Sequence, residues 1–212
     1  NPSDTRDVVG RFAQADASDA ADAIAAAKSA APAWGLSDPM RRHDLLAWVA
    51  AELTARRAEL GDLLAREEGK TLPEGVAEVT RAAQIFDFFA GEALRLSGEL
   101  LPSIRPGVGI EITREPMGVV GIITPWNFPN AMITRKAGPA LAAGCAFVAR
   151  PAELTPLSAI ALGVLADRAG LPAGIFQVVR TSNASETGKE FCENPAVAKL
   201  TFTGSNQVGR IL

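Results

Sequence analysis

The stretch that decides the fold reads Val119-Val120-Gly121-Ile122-Ile123-Thr124-Pro125-Trp126-Asn127-Phe128-Pro129. It opens with a short apolar run, rich in β-branched residues and closed by a proline, which predicts a buried strand. The following loop holds Asn127 between two prolines, and proline restricts both its own φ and the residue before it. A rigid amide at the end of a buried strand suits stabilisation of an oxyanion, because such donors must be preorganised. The alternative is a proline-rich turn in which Asn127 caps the next helix.

Strands and helices alternate along the chain from Val119 onward. Such alternation builds βαβ units, so it predicts an α/β fold: a Rossmann-like parallel sheet with flanking helices. Ligands of these sheets bind at the carboxyl ends of the strands. The predicted order is strand 119–123, helix 131–143, strand 146–150, helix 156–169, strand 175–179, helix 186–193, strand 199–202 and a helix from residue 205.

The N-terminal half is predicted to be mainly helical. A short strand is expected at residues 7–11, then a helix at residues 18–31 with Ser18 or Asp19 as its N-cap. A second helix opens at Asp38-Pro39, and Gly69 is expected to end either that helix or a further one that follows a kink near Gly61. A third starts at residue 72, and residues 109–114 alternate apolar and polar side chains as a protruding strand does. The third helix is expected to bury one face, made of Val76, Val79, Ala83, Phe86 and Phe89.

Composition excludes several classes of function. The chain has 212 residues, 48% of them hydrophobic, and a net charge of −3 without a basic stripe, which argues against a nucleic-acid partner. No apolar run is long enough for a membrane span, and no signal peptide pattern is present. Cys145 and Cys192 are interpreted as structural, and the cytosol is the expected compartment. Because His43 is the only histidine, neither a histidine-based triad nor a zinc site can be assembled, and no metal site is predicted.

Two predicted strand ends carry residues suited to a nucleotide. Gly204 and Ser205 form a glycine turn before a helix, where backbone N–H groups favour a phosphate; the alternative is an ordinary turn with a serine cap. Arg150 and Glu153 end another strand, and the carboxylate of Glu153 suits two vicinal ribose hydroxyls while repelling a 2′-phosphate. The alternative for this second pair is a surface ion pair of little energetic value.

The helix after Asn127 carries two cations. Arg135 lies eight residues beyond Asn127 and is expected to project toward the same cleft, where its guanidinium suits a carboxylate. Lys136 points about 100° away and suits a different task, such as proton movement. The alternative for both residues is a solvated helix face.

Taken together, these segments resemble the aldehyde dehydrogenase superfamily over nearly the whole chain. The motifs occur in the family's order and spacing: Thr124-Pro125-Trp126-Asn127-Phe128-Pro129, Arg150-Pro151-Ala152-Glu153, Ala169-Gly170-Leu171-Pro172-Ala173-Gly174 and Phe202-Thr203-Gly204-Ser205. The resemblance implies an NAD(P)-dependent oxidation of a small aldehyde by a homo-oligomer, a dimer or a tetramer, with NAD favoured over NADP because of Glu153.

The resemblance also assigns roles to single residues. Asn127 would stabilise the oxyanion and Lys136 would serve a proton relay. Arg135 would bind a substrate carboxylate. The residues expected to contact the cofactor are Thr124, Pro125, Trp126, Asn127, Arg150, Glu153, Gly204 and Ser205.

Two subfamilies share segments with this chain. Residues 130–145 look like succinate-semialdehyde dehydrogenase, whereas residues 67–75, 83–92 and 101–107 look more like α-ketoglutaric-semialdehyde dehydrogenases. Both substrates are ω-carboxylated aldehydes, and succinate semialdehyde is favoured because Arg135 would line the substrate funnel. Arg150 departs from the usual lysine of the family, and Arg180-Thr181-Ser182-Asn183 departs from its commoner glycine turn.

The resemblance divides the chain into three parts. Residues 1–97 would be an N-terminal helical segment of the cofactor domain, 98–118 a hairpin of the oligomerisation region, and 119–212 an NAD-binding α/β domain. The family's catalytic cysteine, general-base glutamate and catalytic domain would lie beyond Leu212, so the chain is expected to be truncated, inactive alone and poorly soluble. A non-catalytic nucleotide-binding module and a flavodoxin-like binder are the alternatives.

Overall fold

A computed structural model describes all 212 residues of the chain. Two sheets are present: a two-stranded antiparallel hairpin and a four-stranded parallel sheet of order β5-β4-β3-β6. The predicted α/β fold with a parallel sheet is therefore confirmed. The elements are α1 (Ala17–Gly35), α2 (Pro39–Ala55), α3 (Arg57–Glu68), α4 (Leu72–Ala93), β1 (Glu99–Pro102), β2 (Gly109–Ile112), β3 (Val119–Ile123), α5 (Pro129–Ala142), β4 (Ala146–Arg150), α6 (Leu157–Arg168), β5 (Phe176–Val178), α7 (Ala184–Glu193), β6 (Val197–Phe202) and α8 (Asn206–Ile211).

The parallel sheet is centred on β3 and β4, which are buried at every position. Ile123, the last residue of β3, pairs with Arg150 on β4 and with Phe202 on β6. The carboxyl ends of these three strands therefore finish level with one another. Their following loops must lie side by side along one edge of the sheet.

The first helix begins earlier than its alanine-rich composition predicts. Asp16 is the N-cap of α1, and it forms a capping box with Asp19, so the choice of Ser18 or Asp19 as cap is wrong. The carboxylate of Asp16 accepts the backbone N–H of Asp19, and the carboxylate of Asp19 accepts the backbone N–H of Asp16. The strand predicted at residues 7–11 is absent as well, and Asp7 of this segment forms an ion pair with Arg66 of α3.

The break in the second predicted helix lies at Arg56, between α2 and α3, and the kink predicted near Gly61 is wrong. Gly61 instead lies where α3 meets α4: a Cβ on Gly75 would come within 2.4 Å of the carbonyl oxygen of Gly61. Glycine is therefore needed here, because the backbones of α3 and α4 come too close together to leave room for a side chain. The helix does end at Gly69, which has a φ of 91° that glycine adopts without strain.

The third predicted helix is α4, which opens with a capping box between Thr71 and Glu74. Val79, Ala83 and Phe86 are buried as expected from their spacing, whereas Val76 and Phe89 are half-buried. One continuous core of 36 buried residues joins α1, α2 and α4 to β3 and β4. The N-terminal helices therefore pack onto the sheet and support its carboxyl edge.

The hairpin of β1 and β2 protrudes from this core, and all residues of both strands are exposed. The sequence predicted the second strand, but longer than observed, and missed the first. No helix of the structure is both long enough and apolar enough to cross a bilayer.

Candidate functional site at the carboxyl edge of the sheet

Three loops meet at the carboxyl edge of the parallel sheet. The N–H of Thr124 donates to the carbonyl of Arg150 at 3.3 Å, and the N–H of Thr203 donates to the carbonyl of Ile123 at 3.1 Å. Each of the three paired strands is followed, three residues after its last residue, by one candidate cofactor residue: Trp126 after β3, Glu153 after β4 and Ser205 after β6. The candidate cofactor residues therefore share one edge, as the alternation of strands and helices predicted.

Arg150 and Glu153 form an ion pair, with 3.0 Å between Nη2 and Oε2. The Arg150 side chain is only 9% exposed, whereas that of Glu153 is 45% exposed. A buried guanidinium therefore holds an accessible carboxylate at the loop surface. An anchored carboxylate with a free oxygen can accept hydrogen bonds from a ligand's hydroxyl groups.

Gly204 and Ser205 occupy the turn between β6 and α8. Ser205 is the N-cap of α8 and accepts a hydrogen bond from the N–H of Val208 at 3.3 Å, which is the serine cap foreseen as the alternative. A Cβ on Gly204 would lie 2.4 Å from the ring of Phe202, so this turn needs glycine for local packing. Both residues are exposed at the same edge as Trp126.

Asn127 is exposed, and its side chain makes no hydrogen bond within the protein. The N-cap position of α5 is Phe128, so the alternative in which Asn127 caps that helix is wrong. The backbone carbonyl of Asn127 accepts a hydrogen bond from Lys70 Nζ at 3.1 Å. The loop is therefore tied down through its backbone while the amide side chain stays free for a ligand.

Lys70 and Glu78 hold that loop, and the sequence interpretation missed both. Lys70 Nζ lies 2.6 Å from Glu78 Oε2 and 4.6 Å from the centre of the Phe128 ring. The other oxygen of Glu78 accepts the N–H groups of Asn130 and Ala131, at 2.9 and 3.0 Å, in the first turn of α5. These contacts fix the start of α5 directly behind Asn127, since a carboxylate is stabilised at a helix N-terminus. An acidic residue between the buried positions Gly75 and Ala82 of α4 was the available signal.

An open groove of about 530 Å³ lies between α4 and α5. Asn127, Phe128, Ala131 and Arg135 line it from one side, and Arg81 and Glu78 line it from the other. The placement of Arg135 in the same cleft as Asn127 agrees with the prediction from helical spacing. Arg81 was not singled out from the sequence.

Lys136 turns away from this groove. Its Nζ donates to Thr203 Oγ1 at 2.5 Å, which joins α5 to the loop after β6. Burial lowers the pKa of Lys136, and the nearby charge of Arg135 lowers it further. A lysine whose neutral form is favoured in this way is better suited to proton transfer than an ordinary one.

Glu67 is a second carboxylate that the sequence interpretation missed. Its Oε1 accepts the N–H of Leu157 at 2.7 Å in the first turn of α6, directly after the loop that carries Glu153. Its Oε2 is buried without a partner. Burial therefore raises the pKa of Glu67 to about 7, although the backbone N–H groups of Leu157 and Ser158 oppose the shift.

The remaining ionisable candidates lie apart from this edge. Cys145 is buried, Cys192 is exposed, and both are free thiols. The ring of His43 contacts its neighbour Asp44. No three His, Cys, Asp or Glu side chains cluster as a metal site requires.

Comparisons with known proteins agree on one family. The sequence model of the "Aldehyde dehydrogenase family" matches residues 1–212. A glutarate-semialdehyde dehydrogenase of Pseudomonas aeruginosa is 46% identical, over 100% of this chain and 44% of the relative. The NADP(+) succinate-semialdehyde dehydrogenase GabD of Escherichia coli is 44% identical, over 97% of this chain and 42% of the relative.

Solved structures give the same answer. The crystal structure of succinate-semialdehyde dehydrogenase from Burkholderia pseudomallei superposes with a TM-score of 0.93 at 42% identity, covering 95% of this chain and 42% of that one. An aldehyde dehydrogenase from Brucella melitensis biovar abortus gives a TM-score of 0.91 at 43% identity, covering 93% and 41%. The chain thus spans less than half the length of the relatives that it matches.

Proposed function

Because this chain belongs to the aldehyde dehydrogenase family, we propose that it forms the cofactor edge of an enzyme that oxidises an ω-carboxylated aldehyde to the acid. The observation that carries the proposal is the groove between α4 and α5, where Asn127 and Arg135 lie on one wall. The relatives are more than twice as long as the chain, so this activity is proposed for the whole enzyme. The remaining catalytic groups, a cysteine nucleophile and a general-base glutamate, would come from outside residues 1–212.

Asn127 supplies the oxyanion stabilisation in this proposal. Attack of a thiolate on the aldehyde carbon turns the carbonyl oxygen into an oxyanion, and the free amide of Asn127 donates a hydrogen bond to it. Lys70 and Glu78 keep the backbone of this loop in place, so the amide needs little reorganisation during the reaction. The half-buried Lys136 serves as a proton relay next to Thr203.

The residues at the sheet edge fit a nicotinamide dinucleotide. Glu153 presents a carboxylate, held by Arg150, that can accept both hydroxyls of the adenosine ribose. Thr124 Oγ1 and Arg150 Nε are buried without a partner at the same edge, as expected where a polar ligand completes the site. When bound, the nicotinamide supplies the hydride acceptor that aldehyde oxidation requires. The proposed contacts are Thr124, Pro125, Trp126, Asn127, Arg150, Glu153, Gly204 and Ser205.

NAD is the cofactor that we favour over NADP. A 2′-phosphate would place two negative charges beside the carboxylate of Glu153. The guanidinium of Arg150 is already paired with that carboxylate, so it is not free to neutralise the phosphate. Related enzymes include both kinds: the Escherichia coli relative is named as an NADP(+) enzyme, and a structural neighbour from Sinorhizobium meliloti as NAD-dependent. The preference therefore depends on this one local pair of side chains.

Succinate semialdehyde is the favoured substrate, with α-ketoglutaric semialdehyde as the second candidate. Arg135 has no carboxylate partner within the protein and lines the groove beside Asn127. A substrate whose carboxylate contacts Arg135 would extend its aldehyde carbon toward the amide of Asn127. The relatives named for glutarate and succinate semialdehydes support this class of substrate.

The test is the Asn127→Ala variant of the whole enzyme. Loss of one oxyanion donor lowers kcat by about 10²- to 10³-fold. We expect the loss in kcat to exceed any change in the Kd of NAD, because Asn127 is proposed to contact both the oxyanion and the cofactor. An Asn127→Ala enzyme with wild-type kcat would contradict the role of Asn127, and an enzyme that oxidises no ω-carboxylated aldehyde would contradict the proposed function.

We also place the enzyme in the cytosol and assign a homo-oligomer contact to the hairpin of β1 and β2. Free cysteines are typical of reducing compartments. Leu100 and Ile104 of the hairpin region are 82% and 102% exposed, which a contact with a second copy would explain.

A further inference from the structure

The groove between α4 and α5 holds a second arginine that has no assigned role. Ala77 and Arg81 lie four residues apart on α4, and Ala131 and Arg135 lie four apart on α5, so each arginine shares a helix face with an alanine of the groove. The small alanine side chains leave the space between the helices open. Both guanidinium groups therefore border the same cavity as Asn127.

Arg81 and Arg135 lie at similar distances along their helices from the contact between Glu78 and Ala131. Glu78 of α4 contacts Ala131 at the start of α5, and further along Phe89 of α4 contacts Gly138 of α5. The two helices consequently run side by side in the same direction. At 1.5 Å per residue, Arg81 lies about 4.5 Å beyond Glu78, and Arg135 lies about 6 Å beyond Ala131.

Neither guanidinium is neutralised within the protein. Arg81 makes only a 3.5 Å contact with the amide of Gln84, and Arg135 makes no side-chain hydrogen bond or ion pair. The carboxylates of the groove have other partners: Glu68 and Glu78 contact Lys70, and Glu74 caps α4 through Thr71. The groove thus presents two unpaired positive charges. The lowering of the pKa of Lys136 by Arg135 is consistent with that unneutralised charge.

We propose that Arg81 is a specificity-determining residue, which together with Arg135 holds the far carboxylate of the substrate between two guanidinium groups. This inference rests on the proposed function and adds a substrate contact from α4. A carboxylate has about four acceptor sites, and each guanidinium offers a planar fork of donors, so two forks satisfy one carboxylate completely. A neutral aldehyde leaves both forks unpaired, and the site therefore selects against it.

The kinetic test compares succinate semialdehyde with butanal, its uncharged four-carbon counterpart, in the whole enzyme. We expect Arg81→Met to raise KM for succinate semialdehyde about tenfold to a hundredfold, because it removes hydrogen bonds to a charged group. The KM for butanal should change less than about twofold. Arg81→Lys keeps the charge but loses the fork, so its KM should lie between those of wild type and Arg81→Met.

Arg41→Met is the matched control, since Arg41 is an exposed arginine of α2 that lines a different surface depression. It should leave both KM values unchanged. If Arg81→Met changes the KM values of both substrates equally, or changes neither, the assignment of Arg81 is overturned. This holds even where Arg135→Met still raises KM for succinate semialdehyde.

A binding measurement separates this inference from the proposed function. Succinate binding, followed by ligand-observed NMR, should weaken at least tenfold in Arg81→Met and remain unchanged in Arg41→Met. Equal succinate affinity in wild type and Arg81→Met, or no binding to either, would refute the role of Arg81. An enzyme that binds succinate through Arg81 but oxidises neither aldehyde would refute the proposed reaction alone.

Discussion

Replacing Lys70 by methionine removes the cation that ties three parts of the molecule together. Lys70 Nζ contacts Glu78 at 2.6 Å, the carbonyl of Asn127 at 3.1 Å and the ring of Phe128. The side chains of Lys70 and Glu78 are only 10% and 3% exposed. Methionine keeps an unbranched apolar stem but leaves the carboxylate of Glu78 without its cation.

The expected cost follows from that burial. Removing one partner of a buried ion pair costs about 3–5 kcal/mol. Glu78 keeps its two backbone donors, Asn130 and Ala131, so we expect the lower end, about 3 kcal/mol. Urea denaturation followed by tryptophan fluorescence measures the change in the free energy of unfolding. Because the loop of Asn127 loses an anchor, kcat should also fall, by about tenfold or more.

Lys189→Met is the control for this measurement. Lys189 pairs with Glu193 at 3.8 Å, and the two side chains are 70% and 68% exposed. An exposed pair of this kind contributes about 0–1 kcal/mol. Equal unfolding free energies for Lys70→Met and Lys189→Met, with kcat unchanged in both, would refute the reasoning that Lys70 anchors the loop.

Two further predictions concern the loop that carries Glu153. Glu153→Ser should raise kcat/KM for NADP relative to NAD, because it removes the charge that opposes a 2′-phosphate; an unchanged ratio in steady-state kinetics would contradict the assignment. Burial raises the pKa of Glu67 from its ordinary 4.5 to about 7, so the wild-type free energy of unfolding falls as pH rises from about 4.5 to about 7. Glu67→Gln does not ionise and should therefore gain about 2.5 kcal/mol over wild type between pH 5 and pH 8.5 in urea denaturation. A difference between Glu67→Gln and wild type that stays constant from pH 5 to pH 8.5 would show that the pKa of Glu67 is not raised.

The sheet could be predicted closely from the sequence because its signals are local. Strand β4 at Ala146–Arg150 and strand β3 at Val119–Ile123 have the predicted bounds, since each is a short apolar run closed by a turn residue. The loops at their carboxyl ends then follow from parallel pairing alone. The shared groove of Asn127 and Arg135 was predictable from helical spacing for the same reason.

The features that the sequence did not reveal depend on contacts between distant segments. The carboxylate of Glu78 accepts a hydrogen bond from the backbone of Asn130, which is 52 residues away in the sequence. That of Glu67 accepts one from Leu157, which is 90 residues away. Nothing in the sequence near Asp7 indicates that its carboxylate pairs with Arg66 of α3, 59 positions away. Arg81 has no local signal either, because its surroundings form only when α4 packs beside α5.

The most direct measurement is a crystal structure of the whole enzyme with NAD bound. We expect the adenosine ribose hydroxyls within hydrogen-bond distance of Glu153, and the rest of the dinucleotide along the edge formed by Trp126 and Ser205. A dinucleotide bound away from the ends of β3, β4 and β6 would contradict the assignment of this edge as the cofactor site.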